Sequence, residues 1–416
     1  MREILRHRGL RFIFIANMIS MIGSGMNGAA VIWHIFQATH TEVALGWLLV
    51  MQTLPAMLFM PLSGVIIDRE DRRYIVMILD AVRGLVILTV AILALTHRVQ
   101  IWQLYGMGVL VAAGFWMFWP TITALVQELT PETEFVHSNT FLLAGVQGGW
   151  LLAGAFVGFV YNHIGLGGIL LIDFLTYVIS FSCYLFVREG KHVVQHPIRE
   201  EIVEAEHALA RYVREMREGY RYVRTRPFLV LLSTSWALFL GAMLTTGVVS
   251  APLSDRILHA GAKGYGWLNM GWACGAVIST TFTAWMIRKL GSRNTVAVTM
   301  ATLSGAWFCL PFSPVLAVGV ALYGIGGTAR GIVGVALSSS LMETVPKHFM
   351  GRVQNTIYLA GTSLQLITGM LVGVVAHRYG LAPAFAIIAT MYLSGFLAAL
   401  IPVRQPAAGQ AEATTA

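Results

Sequence analysis

Twelve long apolar runs divide this 416-residue chain, and their length is the feature that most restricts its fold. A helix needs about 20 apolar residues to cross the roughly 30 Å of hydrocarbon in a lipid bilayer. Hydrophobic residues make up 56% of the chain and charged residues only 12%, which is too little charge for a water-exposed surface. The runs therefore predict twelve membrane-spanning helices, at residues 12–36, 43–67, 74–96, 101–127, 138–161, 167–187, 228–252, 264–288, 294–311, 314–342, 352–376 and 382–402.

The basic residues predict which side of the membrane each loop faces, because loops rich in lysine and arginine remain in the cytoplasm. With both termini cytoplasmic, about 22 of the 28 Lys and Arg residues lie on the cytoplasmic side. The outer side receives Arg98, Arg256, Lys263 and Arg378. The net charge of +8 is thus explained by topology, and it predicts no nucleic-acid partner.

One long polar stretch, residues 188–227, separates six apolar runs from the other six. Its apolar residues recur at helical spacing between charges, which predicts an amphipathic helix along the cytoplasmic membrane surface. A solvated tether is the alternative. The predicted organisation is an N-terminal six-helix half at 1–187, the linker at 188–227, a C-terminal six-helix half at 228–404 and a flexible cytoplasmic tail at 405–416.

The two halves share short motifs at offsets between 215 and 220 residues, always in chain order. Gly46-Trp47-Leu48 recurs as Gly266-Trp267-Leu268, and the pair Gly165-Leu166 recurs as Gly380-Leu381. The repeats indicate two copies of one six-helix unit in the same orientation. Such an arrangement is typical of transporters whose halves rock around a binding site near the bilayer midplane.

The short loop after the second run combines a glycine, an acid and three arginines. They are Gly64, Asp68, Arg69, Arg72 and Arg73. Asp68 ends the second run, and we expect it to meet the first turn of the eleventh span near Arg352. A carboxylate at a helix N-terminus is stabilised by roughly 0.3–1 kcal/mol. The loop is therefore a candidate gating element.

Two further ionic contacts are expected at the cytoplasmic ends of the spans. Arg72 or Arg73 can reach Glu128 at the end of the fourth span, and Arg293 with Glu343 is the equivalent pair in the second half. Contacts that form only when the cytoplasmic side is closed bias one of two conformational states. The alternative is a positively charged loop with incidental ion pairs.

This loop resembles the signature of the major facilitator superfamily, with Asp71 in place of a glycine. The segment from Pro120 to Pro131, and Gly351-Arg352-Val353, are similar to the drug-efflux branch that includes macrolide efflux proteins and the enterobactin exporter. The resemblance implies an all-α membrane protein of twelve transmembrane helices in two six-helix pseudo-symmetric halves. It also implies export of small amphipathic molecules coupled to protons. Ala155 and Phe159 depart from the antiport motif of that branch.

The sequence lacks the motifs that would indicate other classes of function. The sequence contains no nucleophile, metal-ligand or nucleotide-binding motif in a plausible context, so we expect neither an enzyme nor a cofactor nor a metal site. The expected protein is a monomer in a bacterial inner membrane, with a small amphipathic substrate and with protons as the coupling ion. A lipid or lysolipid translocase of the same fold is the alternative function, and a non-transporting sensor is a third.

Candidate substrate-binding residues form one stripe and several scattered positions. Asn17, Ser20, Ser24 and Asn27 lie on one face of the first span, which predicts a face towards water or substrate, with interhelical packing as the alternative. Polar and aromatic groups on other spans suit an amphipathic ligand. These are Trp116, Trp119, Trp236, Asn269, Trp272, Arg330 and Gln365.

Ionisable residues within spans are costly and therefore functional candidates. Asp80 and Arg83 are spaced to pair with each other. Asp173, Asp80 and His34 are the candidates for proton coupling. Arg330 is expected either to anchor an anionic group of the substrate or to form an ion pair with Asp80 or Asp173.

Overall fold

The computed structural model describes residues 8–130, 135–187 and 201–402, apart from the side chains at 8, 56–69, 135–147, 150–152, 155, 201–209, 211 and 347–348. Every regular element in these ranges is helical, as the sequence predicted. The helices are α1 (Arg8–Thr39), α2 (Glu42–Arg69), α3 (Arg72–Leu95), α4 (Ile101–Leu129), α5 (Phe135–Leu185), α6 (Glu201–Arg224), α7 (Pro227–Thr245), α8 (Gly247–Pro252), α9 (Gly261–Cys309), α10 (Leu316–Thr344), α11 (Lys347–Tyr379) and α12 (Leu381–Leu400). A π-helical turn (Leu253–Ile257) extends α8, and a 3₁₀ turn (Leu310–Phe312) extends α9.

Nine helical stretches within the described residues are long and apolar enough to cross a membrane. The longest, Gly261–Phe312, has 52 residues, and at about 1.5 Å per residue it is more than twice as long as the hydrocarbon layer is thick. It bends at Gly291, where φ is 77°. The protein is therefore a multi-pass membrane protein, and the full count of twelve crossings stays a prediction.

The repeated Gly-Leu pair marks the same turn in both halves. Gly165 bends α5 with φ 63°, and Gly380 separates α11 from α12 with φ 87°. Positive φ angles of this kind strongly favour glycine, because it has no Cβ. Each copy of the repeat therefore changes direction at its glycine before entering its last helix.

Contacts group the chain into two compact units, the first comprising residues 1–38 and 51–210. In this unit α3 packs against α4 and against the part of α5 that follows Gly165. Apolar side chains from α1, α3, α4 and α5 form its buried core. Representative members are Leu10, Val76, Phe118, Ile122 and Tyr184.

The second unit comprises residues 39–50 and 211–416. Here α9 packs against α10 and α12, and α7 packs against α11 and α12. Helices α9 and α10 approach closely because glycines face each other's backbones. A Cβ on Gly271 would lie 2.5 Å from the carbonyl oxygen of Val320, and a Cβ on Gly327 would meet the carbonyl oxygen of Trp272.

The helix expected in the polar linker is present as α6, and its C-terminal half contacts α11 in the second unit. Glu218 forms an ion pair with Arg352 at 3.0 Å. A Cβ on Gly219 would meet the Arg352 carbonyl oxygen, and the ring of Tyr222 stacks on Phe349 with centroids 4.5 Å apart. The placement of α6 along a membrane surface stays a prediction.

Candidate functional site

The charged loop ends in a capped helix. Asp71 is the N-cap of α3, and its carboxylate accepts a hydrogen bond from the backbone N–H of Arg73 at 2.9 Å. Asp71, which replaces the glycine of the superfamily signature, therefore caps the start of α3. The equivalent residue of the second half is Gly291, at which α9 bends. Arg72 forms the expected ion pair with Glu128, Nη1 to Oε2, at 3.2 Å.

Arg73 has a different kind of partner, the exposed carbonyls at the C-terminal end of α5. Its guanidinium donates to the carbonyl oxygens of Tyr184 at 2.7 Å and Leu185 at 2.9 Å. The last carbonyls of a helix have no partner within the helix and carry partial negative charge. Arg73 therefore attaches the start of α3 to the end of α5.

The second half repeats this attachment. Arg293 donates to the carbonyl oxygens of Ala399, Leu400 and Ile401 at the end of α12. The expected ion pair of Arg293 with Glu343 is not formed in this structure, and it stays a prediction for the state in which the cytoplasmic side is closed. The Glu343 carboxylate accepts instead from the hydroxyl of Ser292, at 3.4 Å.

The remaining gating candidates are only partly described. Gly64, Asp68 and Arg69 lie in the part of α2 whose side chains are outside the described residues. Arg352 is described, and its ion-pair partner is Glu218 of α6. The expected contact of Asp68 with the start of α11 stays a prediction.

The polar stripe of α1 lies against the second part of α5. The Asn17 amide donates to the Tyr184 hydroxyl at 3.3 Å, and the Ser24 hydroxyl lies 3.0 Å from the hydroxyl of Tyr177. Ser20 is completely buried, and its hydroxyl has no hydrogen-bond partner among the described residues. These contacts are interhelical packing, the alternative interpretation of the stripe. A role in substrate binding stays a prediction.

Asp80 and Arg83 pair with each other, as their spacing predicted. The Arg83 guanidinium donates to Asp80 at 2.6 Å, and both side chains are almost entirely buried. The hydroxyl of Ser180 donates to the other oxygen of Asp80, also at 2.6 Å. The guanidinium also lies over the rings of Phe118 and Tyr177, at 4.5 and 4.8 Å from their centroids.

Asp173 is buried, and no basic side chain among the described residues donates a hydrogen bond to it. The Asn27 amide donates to its carboxylate at 2.8 Å, and Thr176 lies 3.4 Å from the other carboxylate oxygen. Arg83 interacts with Asp173 electrostatically, but its hydrogen bond goes to Asp80. Two carboxylates thus share one arginine in the first unit, which leaves Asp173 as the surplus acid.

The other first-unit candidates are less connected. The ring of His34 makes a hydrogen bond with the Tyr161 hydroxyl at 3.0 Å. Trp119 packs against the apolar core of the first unit, and Trp116 is half-buried on the same helix.

Arg330 is a half-buried cation on α10 of the second unit. Its Nε donates to the thioether sulfur of Met243 at 2.9 Å, and its guanidinium carbon lies 5.8 Å from the centre of the Trp272 ring. A thioether is only a weak acceptor. No carboxylate among the described residues pairs with Arg330, and both candidate acids have other partners, since Asp80 binds Arg83 and Asp173 binds Asn27.

An aromatic cluster includes Trp272, the ring that lies beside Arg330. Trp272 packs edge-on to Trp307 and Tyr323, and Trp307 stacks on Phe385 at 5.8 Å. Three buried donors here have no hydrogen-bond partner among the described residues, namely Trp307 Nε1 and the hydroxyls of Tyr323 and Tyr392. The site is thus rich in donors and poor in acceptors, which suits a ligand that brings acceptor oxygens.

The other predicted residues of the second unit make separate contacts. Asn269 donates to the carbonyl of Tyr265 on its own helix at 2.8 Å. Trp236 and Gln365 are buried on α7 and α11, which pack together.

Sequence reasoning missed one charged group in the second unit, formed by Glu42, Arg256 and His377. Each of these residues lies at the end of an apolar run, where a charge is expected in a loop. No local motif relates them, because they come from distant parts of the chain.

The sequence is similar to a known protein family and to curated efflux proteins. The profile of the Major Facilitator Superfamily matches residues 13–354 and, in a second match, 248–416. The multidrug efflux pump Tap of Mycolicibacterium fortuitum is 25% identical over 407 residues, covering 94% of this chain and 95% of that protein. Macrolide efflux protein A of Streptococcus pyogenes is 22% identical over 212 residues, about half of each chain.

The fold is similar to those of solved transporter structures. A crystal structure of the nucleoside transporter NupG aligns with a TM-score of 0.72 over 94% of this chain and 98% of that one. The sequences are only 10% identical, so this likeness concerns the fold alone. Family, curated relatives and fold thus agree on one type of membrane transporter.

Proposed function

This chain belongs to the Major Facilitator Superfamily, and from that premise we propose that it exports small amphipathic, drug- or siderophore-like molecules by alternating access. Two of its curated relatives are described as drug efflux proteins, which supports export rather than uptake. The sequence carries no nucleotide-binding motif, so the proposed driving force is a proton gradient.

One observation carries the choice of substrate class. Arg330 is half-buried beside the face of Trp272, and its partners among the described residues include no carboxylate. An arginine inside a membrane protein is costly unless it meets water, an anion or a partner. We propose that Arg330 binds a carboxylate or phosphate-like group of the substrate, while Trp272 and its aromatic neighbours bind the apolar part.

The proposed proton carrier is Asp173, the surplus acid of the first unit. Protonation of its carboxylate removes a buried charge, and the hydrogen bond from Asn27 stabilises the charged form. Asp80 is a poorer candidate for the carrier because Arg83 and Ser180 both donate to it. Coupling then requires that proton binding and substrate binding favour opposite conformations.

Transport in reconstituted vesicles tests the proposal. Purified protein would be assayed with fluorescent drug-like carboxylates and, in a parallel arm, with labelled lysolipids, with and without a pH gradient. Export predicts gradient-driven accumulation of the soluble compounds. Movement of lysolipids alone would contradict it and favour the translocase alternative.

A further inference from the structure

Four arginines share one face of the C-terminal half of α6, which we call the arginine face. Their spacing of i, i+3, i+7 and i+10 follows the turn of the helix. They are Arg214, Arg217, Arg221 and Arg224. All four are exposed, and no carboxylate among the described residues forms an ion pair with any of them. The arginine face is therefore a concentrated positive surface.

The other side of α6 carries the acids and rests on α11. Glu218 pairs with Arg352 at 3.0 Å, and Glu215 is half-buried. On this side a Cβ on Gly219 would meet the Arg352 carbonyl oxygen, and the ring of Tyr222 stacks on a ring of α11. One side of α6 is thus occupied by protein contacts, and the arginine face points away from them.

Two apolar side chains lie among the arginines. Val213 and Tyr220 are each 57% exposed, and with Arg217 they follow the spacing i, i+4 and i+7 of a single stripe. This mixture is typical of helices in the headgroup layer of a membrane. There the apolar groups enter the edge of the hydrocarbon, while the long arginine stems extend towards the phosphates.

The chain itself keeps this face near a membrane surface. Helix α6 ends at Arg224, and α7 begins three residues later at Pro227. The stretch Pro227–Ile257 is long and apolar enough to cross a membrane. Three residues span at most about 11 Å, so the end of α6 lies close to the surface at which α7 enters. The distribution of basic residues predicts that this surface is the cytoplasmic one.

We propose that the arginine face of α6 binds the phosphate groups of anionic phospholipids in the predicted cytoplasmic leaflet. A guanidinium suits this ligand because its planar fork can donate two hydrogen bonds to one phosphate. Because the other side of α6 holds Arg352, lipid binding would also tie the start of α11 to the membrane surface. The proposal concerns a lipid partner, and it does not depend on which substrate the protein exports.

An environment-sensitive dye on α6 measures this binding without any substrate. Cys183, Cys274 and Cys309 would be replaced by serine, and Val213→Cys would carry the dye. The full-length protein would be placed in nanodiscs of phosphatidylcholine that contain increasing fractions of phosphatidylglycerol. The emission should shift to the blue as the anionic lipid increases. Salt at about 0.5 M should reverse the shift, because it screens charges beyond a few ångströms.

Paired charge substitutions identify the residues responsible. Arg217→Gln with Arg221→Gln removes half of the charge of the arginine face, and it should lower the ratio of bound to unbound α6 at least about tenfold. Arg288→Gln with Lys289→Gln is the matched control, since it removes two exposed charges of α9 and should respond like the parent. Should the first pair fail to fold, Arg214→Gln with Arg224→Gln is the second variant, with the same expected loss.

Three outcomes would overturn the proposal. An equal blue shift in pure phosphatidylcholine would show that α6 inserts without recognising the headgroup. A full response in the arginine-face variants would show that these residues do not bind lipid. A response to added polyglutamate but not to phosphatidylglycerol would indicate an acidic protein as the partner. No substrate is present in these measurements, so the export of drug-like molecules is tested separately by the vesicle assay.

Discussion

Arg73 and Arg293 lie 220 residues apart and make the same contact in their respective units. Each donates from its guanidinium to the last carbonyls of the final helix of its six-helix half, α5 for Arg73 and α12 for Arg293. The duplicated sequence thus produces a duplicated attachment. Its chemistry is a cation at a helix C-terminus, which both the helix dipole and the unpaired carbonyls favour.

The first prediction concerns this attachment. Arg293→Ala should lower the free energy of unfolding by about 1–3 kcal/mol, because three carbonyl oxygens lose a charged donor. Thermal unfolding in detergent measures the loss. Arg288→Ala is the matched control, since the exposed Arg288 side chain donates only to a carbonyl on its own helix, and it should change stability little. Equal losses in both variants would contradict the assignment.

The second prediction separates the two buried acids of the first unit. Asp80→Asn leaves the buried Arg83 without its counter-charge, which should cost about 3–5 kcal/mol of stability. Asp173→Asn removes only the surplus charge, so it should fold and should still bind substrate.

Transport distinguishes the roles of these acids. In Asp173→Asn, accumulation driven by a pH gradient should be lost while downhill movement of substrate remains. Gradient-driven accumulation at the parental level would show that Asp173 is not the proton carrier.

The third prediction concerns the linker helix. Gly219→Leu places a side chain where the Arg352 carbonyl lies, so it should displace α6 from α11. Limited proteolysis should then cleave the chain near α6 faster than in the parent. Val213→Leu changes an exposed position of the same helix and should leave the cleavage rate unchanged. Unchanged cleavage in Gly219→Leu would contradict the close contact.

Periodicity and local spacing made part of this structure predictable. The apolar runs and the breaks between them placed the helices, and the i,i+3 spacing of Asp80 and Arg83 predicted their pair. These features depend on residues close together in the chain.

Partners that are distant in sequence, or that belong to the backbone, left no comparable signal. Glu42, Arg256 and His377 come from three different helical segments. Arg293 was expected to choose the carboxylate of Glu343, but it binds backbone carbonyls, which every residue has. Only the folded chain shows which helix ends lie within reach of a long side chain.

The site at Arg330 was predictable from the sequence in one respect and unpredictable in another. Its position inside an apolar run predicted a buried cation that needs an anion, and the described contacts leave that need unmet. The aromatic cluster of Trp272, Trp307 and Tyr323 was predicted only in part, because Trp307 and Tyr323 are ordinary apolar positions in the sequence. Together they form the proposed binding site.

The most direct test of the account measures binding of matched ligands to purified protein. A panel of drug-like aromatic carboxylates and their methyl esters would be titrated against the parent, Arg330→Lys and Arg330→Gln. The account predicts that the parent prefers the acids by at least about tenfold, that Lys reduces this preference because it lacks the planar fork, and that Gln abolishes it while ester binding is retained. An Arg330→Gln variant that binds the acids with the parent's affinity and preference would contradict the central claim.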